Sequence, residues 1–154
     1  MIEIVALFDR PKFIPLVAGW NWTEWRDLLP CASCEAFADD LRAKTRRDGI
    51  PITLLAFDDG VPVGTVSLLA DDLESRSELT PWLASLYVAP EKRGRGLGKM
   101  LAQHAVDAAR GFGIGKLYLY TPGQESFYQQ LGWEFFETTQ FRGRAITIMR
   151  QHLR

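Results

Sequence analysis

The sequence predicts one mixed α+β domain over residues 1–154, built on a central, mostly antiparallel sheet of six or seven strands flanked by about four helices. Three observations predict it. Short β-rich runs alternate with stretches whose apolar residues recur at helical spacing, in the order β-α-α-β-β-β-α-β-α-β-β. Two pairs of runs are joined by the turn signals Asp58-Asp59-Gly60 and Arg142-Gly143, which mark antiparallel hairpins. A strand, a glycine loop, a helix and a further strand follow one another over residues 82–120, which marks one parallel pair with a right-handed crossover.

Each element has its own signal. Ile2 to Phe8 is a short apolar run stopped by Asp9-Arg10-Pro11, and it opens the sheet. Phe13, Leu16, Val17, Trp20 and Trp25 lie on a first helix. Ser33, Phe37 and Leu41 define a second, which Asp48-Gly49 ends before Pro51. Ile52 to Phe57 and Val61 to Leu69 form the first hairpin. The polar stretch Asp71 to Pro81 is a loop leading into the strand Trp82 to Val88. Leu97, Leu101, Ala105, Ala108 and Phe112 share one helix face, and the glycines at 111, 113 and 115 end that helix before the strand Leu117 to Tyr120. Glu125 to Leu131 is a short helix ended by Gly132, and Trp133 to Glu137 pairs with Ala145 to Met149.

The composition narrows the function. A 154-residue chain that is 47% hydrophobic and 24% charged buries a single ordinary core. Its net charge of -1 argues against a general nucleic-acid or membrane-surface binder, leaving small-molecule chemistry. The first apolar run is too short and too acidic for a signal peptide, and no later run is long enough to span a bilayer, so a cytoplasmic protein is expected. Cys31 and Cys34 form a C-x-x-C pair at a helix start rather than after a strand, and His104 and His152 do not complete a zinc set. Two reduced thiols and no metal are expected.

The most informative stretch is Arg93-Gly94-Arg95-Gly96-Leu97-Gly98, bracketed by Lys92 and Lys99. Glycines there let backbone N–H groups turn towards a ligand, and the following helix adds unsatisfied donors and the positive end of its dipole. The loop is therefore an anion cradle. It does not fit a Walker A sequence, because only three residues separate Gly94 from Gly98 and Met100 follows Lys99 where a magnesium-binding hydroxyl is needed. Nor does it fit a dinucleotide fingerprint, which places a glycine where Lys99 stands. It does satisfy R/Q-x-x-G-x-G/A through Arg93, Gly96 and Gly98.

That pattern resembles the Gcn5-related N-acetyltransferase (GNAT) family. The likeness runs through LYVAPEKRGRGLGKMLAQHAV, and FYQQLGW from Phe127 to Trp133 is similar to the family's second motif. The order of elements matches as well. The resemblance implies a GNAT-like fold and acetyl-coenzyme A as cosubstrate. It implies that Arg93, Gly94, Arg95, Gly96, Leu97, Gly98 and Lys99 hold its pyrophosphate, and that the backbone of Leu86, Tyr87 and Val88 runs along the pantetheine arm. Thr121 stands where the family often has Asn, at a pantetheine contact, and Tyr128 stands where the family places the general acid for the departing thiolate. As an alternative, Tyr128 is a packed aromatic whose hydroxyl finds a partner.

The acceptor side is less determined. The fourth strand begins Trp82-Leu83-Ala84-Ser85 and holds no carboxylate, so water relays the amine proton or the preceding loop supplies a base. Glu78 is a candidate base there. Asp71 and Asp72 are candidates for attracting a cationic amine, against the alternative of a solvated acidic loop. By resemblance, Trp20, Trp22 and Trp25 wall the acceptor site and Trp82 completes it, whereas as plain helix residues they anchor the first helix to the sheet. The expected activity is transfer of an acetyl group to an amine of a small molecule, peptide or protein, with a homodimer possible. The alternative is a non-catalytic acyl-coenzyme A binding or sensing domain, and a phosphate-binding nucleotide module stands behind both.

Overall fold

The computed structural model describes residues 1–29 and 31–153. Its elements are β1 (Ile2–Ala6), α1 (Ile14–Trp25), α2 (Cys34–Lys44), β2 (Ile52–Asp58), β3 (Val61–Leu69), β4 (Trp82–Val88), α3 (Leu97–Gly111), β5 (Lys116–Thr121), α4 (Glu125–Gln130), β6 (Glu134–Phe141) and β7 (Arg144–His152). The seven strands form one sheet in the order β1-β2-β3-β4-β5-β7-β6. Every neighbouring pair is antiparallel except β4 and β5. This is the predicted mixed fold.

Both predicted hairpins close through paired left-handed residues. Asp59 and Gly60 sit at φ 49° and 85°, and Arg142 and Gly143 at φ 50° and 79°. Those angles suit the tight primed turns whose twist matches the flanking strands. Element ends differ where tertiary contacts decide them. α2 stops at Lys44 instead of running to Asp48-Gly49, because Thr45 turns extended and its hydroxyl, buried, accepts from the Thr53 N–H of β2 at 3.3 Å. β1 is shorter than predicted because Leu7–Asp9 tightens into a 3₁₀ turn that buries Leu7. β6 and β7 extend to the turn itself, pairing Phe141 with Arg144.

The sheet is covered on both faces, and β2 shows how. Ile52, Leu54 and Ala56 pack towards α3 with Leu101, Ala105 and Val106, while Leu55 and Phe57 point the other way onto Ile14 and Val17 of α1. A third apolar cluster, with Trp82, Tyr118 and Ile148 at its centre, covers the other half of the sheet beneath the loop that follows β3.

Gly64 lets α3 lie close against the sheet. A Cβ there would meet Leu101 Cδ1 and the Tyr87 carbonyl oxygen, each at 2.8 Å. The backbone oxygen cannot step aside without disturbing β4. Gly64→Ala is therefore expected to lower stability by about 1–3 kcal/mol, the usual range for overpacking, read as a drop in the midpoint of urea unfolding.

Candidate active site

β4 and β5 are parallel neighbours that pair at Trp82 and Tyr118 alone. Beyond that point they part, and a cleft of about 690 Å³ opens between them, at the carboxyl ends of a parallel pair where open sheets bind ligands. β4 is bent at the same place. Thr65 pairs with Tyr87 and Ser67 with Ala84, so Ser85 and Leu86 together face the single Val66. This is a bulge, and Ser85 carries its strain at φ 56°. The bend sends Leu86, Tyr87 and Val88 along the cleft wall.

At one end lies the glycine loop. Gly94 and Gly96 adopt φ 80° and 82°, and Gly96 caps the 15-residue helix α3 in the left-handed region. A side chain at either position would be strained. Gly94, Gly96, Gly98 and Lys99 line the cleft, so the helix's N-terminal donors meet an ammonium there. Leu97 lines the same wall while its side chain is buried in the core. Arg95 is exposed and is not among the cleft-lining residues. Arg93 is turned back on the strand. Its Nε donates to the Val88 carbonyl at 2.8 Å, its guanidinium lies 5.4 Å from the Tyr87 ring centre, and it faces Glu24 at 3.8 Å. The side chain thus fastens the loop to β4.

Tyr128 and Thr121 also line the cleft. The Thr121 hydroxyl accepts from the N–H groups of Gly123 and Gln124 at 3.4 and 3.0 Å, so it shapes the turn into α4. Tyr128 is held edge-on by Phe127 and Trp133, with ring centres 5.0 and 6.3 Å away. Among the described residues its hydroxyl has no hydrogen-bond partner, and burial pushes the phenol up to about 12. It keeps its proton at neutral pH.

The far end differs most from expectation. Asp72 lines the cleft, partly buried, and desolvation pushes its carboxyl up to about 7. Asp71 is exposed and borders a smaller neighbouring hollow with Glu74 and Arg142. Glu78 is exposed, outside the cleft, and bonded at 2.7 Å to Arg76, which holds it below the usual carboxylate range. Trp82 is fully buried, with its indole N–H donating to the Leu79 carbonyl at 2.6 Å, so it supports the cleft floor rather than its wall. Trp20 stacks on Tyr87 at 5.3 Å and anchors α1 to β4. Trp22 is partly buried away from the cleft, and Trp25 is the tryptophan that lines it. Tyr120 and Arg144 also line this end, and nothing in the sequence singles them out. Cys31 and Cys34 are free and lie outside the cleft.

A splayed parallel pair, a glycine loop at a helix N-terminus and a half-buried tyrosine meet in this cleft. Residues 15–133 match the model of the acetyltransferase (GNAT) family, and the chain belongs to that family. No curated protein matches it significantly in sequence. Its fold is that of an acetyltransferase of the GNAT family from Streptococcus pneumoniae (23% identity, 100% of both chains, TM-score 0.73). It is likewise similar to an aminoglycoside 6'-N-acetyltransferase complexed with coenzyme A (14% identity, 99% of this chain and 96% of that one, TM-score 0.73). A GNAT family acetyltransferase from Elizabethkingia anophelis with acetyl-CoA bound aligns at 19% identity over 67% of this chain and 76% of that one, TM-score 0.55.

A carboxyl that titrates higher in the folded protein than in the unfolded chain opposes folding once both are ionised. The opposition is complete above its folded value and fades as pH falls towards the usual carboxylate range. Asp72→Asn is therefore expected to raise the thermal midpoint more at about pH 8 than at about pH 5. Parallel melting curves at the two pH values check it.

Proposed function

We propose that the protein transfers the acetyl group of acetyl-coenzyme A to a primary amine by direct attack, within the cleft between β4 and β5. The observation that carries this is the meeting in one cleft of the glycine cradle, the free hydroxyl of Tyr128 and the desolvated carboxyl of Asp72. The cradle fits a pyrophosphate because Gly94 and Gly96 occupy backbone conformations that turn N–H groups towards an anion. When bound, acetyl-coenzyme A supplies the thioester carbonyl that the amine attacks.

The chain's own residues then divide the work. Gly94 to Lys99 hold the phosphates, and Leu86 to Val88, redirected by the Ser85 bulge, align the pantetheine arm and the carbonyl. Tyr128 donates to the sulfur as the carbon–sulfur bond breaks. Its high affinity for the proton is not a bar to that role, because the same burial also raises the departing thiol. Asp72 replaces Glu78 as the group that receives the ammonium and takes its proton, since Asp72 faces the cleft and Glu78 is occupied by Arg76. Trp25 and Tyr120 form the aromatic wall beside it.

Two outcomes are expected. Tyr128→Phe lowers turnover about 100-fold, within the usual range for losing an acid catalyst, with coenzyme affinity nearly unchanged by calorimetry; turnover equal to wild type removes the role. Acetylation followed by thiol release rises with pH through an inflection near 7 as Asp72 ionises, and Asp72→Asn loses that inflection. Tight coenzyme binding with no thiol release across a broad amine panel favours the sensing domain instead.

A further inference from the structure

The cations along the cleft are not equivalent. Lys92 faces Asp58 at 4.0 Å, and Arg93 faces Glu24. Lys99 belongs to the first turn of α3, at the phosphate end. Arg144 lines the opposite end and has no carboxylate partner among the described residues. Its neighbour Arg142 is already engaged, with Glu74 at 3.5 Å and the Leu29 carbonyl at 3.5 Å.

The hairpin explains why Arg144 stands there. β7 runs antiparallel to β5 with Thr147 opposite Thr121, the last residue of β5, and continues three residues further to Arg144. The tight turn at Arg142-Gly143 holds Arg144 opposite Phe141, which places this exposed residue beyond the carboxyl end of β5, on the cleft's edge.

Asp72 lines the same end, and it too lacks an ion-pair partner among the described residues. The two do not neutralise each other. Desolvation raises Asp72. Tyr120 lies within reach of both: burial chiefly raises its phenol, Asp72 raises it further, and Arg142 and Arg144 oppose. A partly buried carboxylate and an exposed guanidinium thus line the same end of the cleft without pairing, leaving both free to meet the opposite charges of a ligand. The rest of the wall there is apolar, from Trp25, Leu28 and Leu29.

We infer that the acceptor is an α-amino acid with an apolar side chain, its amino group at Asp72, its carboxylate on Arg144 and its side chain against Trp25, Leu28 and Leu29. The inference rests on the acetyl-transfer reading above and names its substrate class. A carboxylate and a guanidinium match in a forked, charge-assisted pair, so Arg144 is a specificity determinant.

The test compares L-leucine, leucinamide and 3-methylbutylamine as acceptors, with acetyl-coenzyme A and thiol release as the readout. Leucine should exceed each analogue lacking the carboxylate in kcat/KM by about tenfold or more, the equivalent of one good ionic contact. Arg144→Gln should shrink that ratio to about twofold, mainly by raising the KM for leucine, and Arg144→Lys should keep part of it. Carboxylate-free amines acetylated as well as leucine overturn the substrate class and leave acetyl transfer standing. So does an Arg144→Gln variant that depresses all three acceptors in step. Coenzyme binding without thiol release from any of the three classes, across a broad panel of amines, overturns acetyl transfer and the substrate class together.

Discussion

The parting of β4 from β5 is the constraint on which the rest of this molecule depends. A parallel pair normally continues its ladder, yet here the strands are joined at Trp82 and Tyr118 alone. The bulge at Ser85 bends β4 away, and the close seat of α3 on Gly64 keeps the bent strand supported from the other face. Without the gap there would be no cleft, and the glycine loop, which follows β4 directly, would have nothing to face. The strain at Ser85 is local, and burial on both faces of the sheet holds it in place.

The same gap separates two electrostatic environments. At the α3 end, the helix's first backbone N–H groups and Lys99 make the cleft electropositive, and Arg93 is spent on fastening the loop to Val88 and Tyr87. At the far end the acidic loop after β3 is pinned by ion pairs. Arg76 binds Glu78 and Glu137 of β6, and Arg142 binds Glu74. These exposed or half-exposed pairs contribute little stability one by one. Their effect is positional: they hold the loop so that Asp72, which none of them engages, points into the cleft. A desolvated carboxylate is expensive to fold around, and such groups cluster where chemistry is done.

Much of this was legible in the chain. Turn residues with obligatory left-handed angles announced both hairpins, and 3.6-residue spacing announced α3. The order Arg93, Gly96, Gly98 after a strand and before a helix announced the left-handed glycine turn that opens α3, because few residues tolerate those angles. The second motif, around Tyr128, reinforced the family resemblance. Less legible were the ends of elements. Thr45 ended α2 through a hydrogen bond to Thr53, a partner eight positions away that no local signal predicts.

The acceptor end shows most plainly where sequence reading stops. The loop's acidic residues look alike on paper, yet the fold exposes Asp71, commits Glu78 to Arg76 and sends Asp72 into the cleft. The tryptophans divide in the same way: Trp82 goes to the floor, Trp20 to a stack on Tyr87, and Trp25 to the wall. Arg144 joins the site only because a tight turn and the β5–β7 register carry it past Thr121. The sequence by itself determined the strands, the hairpins, the glycine loop and the family, since each rests on local periodicity or on backbone angles that few residues tolerate. Which carboxylate loses its water, and which cation is left without a partner, depends on packing between segments far apart in the chain, and the tertiary structure alone decided that.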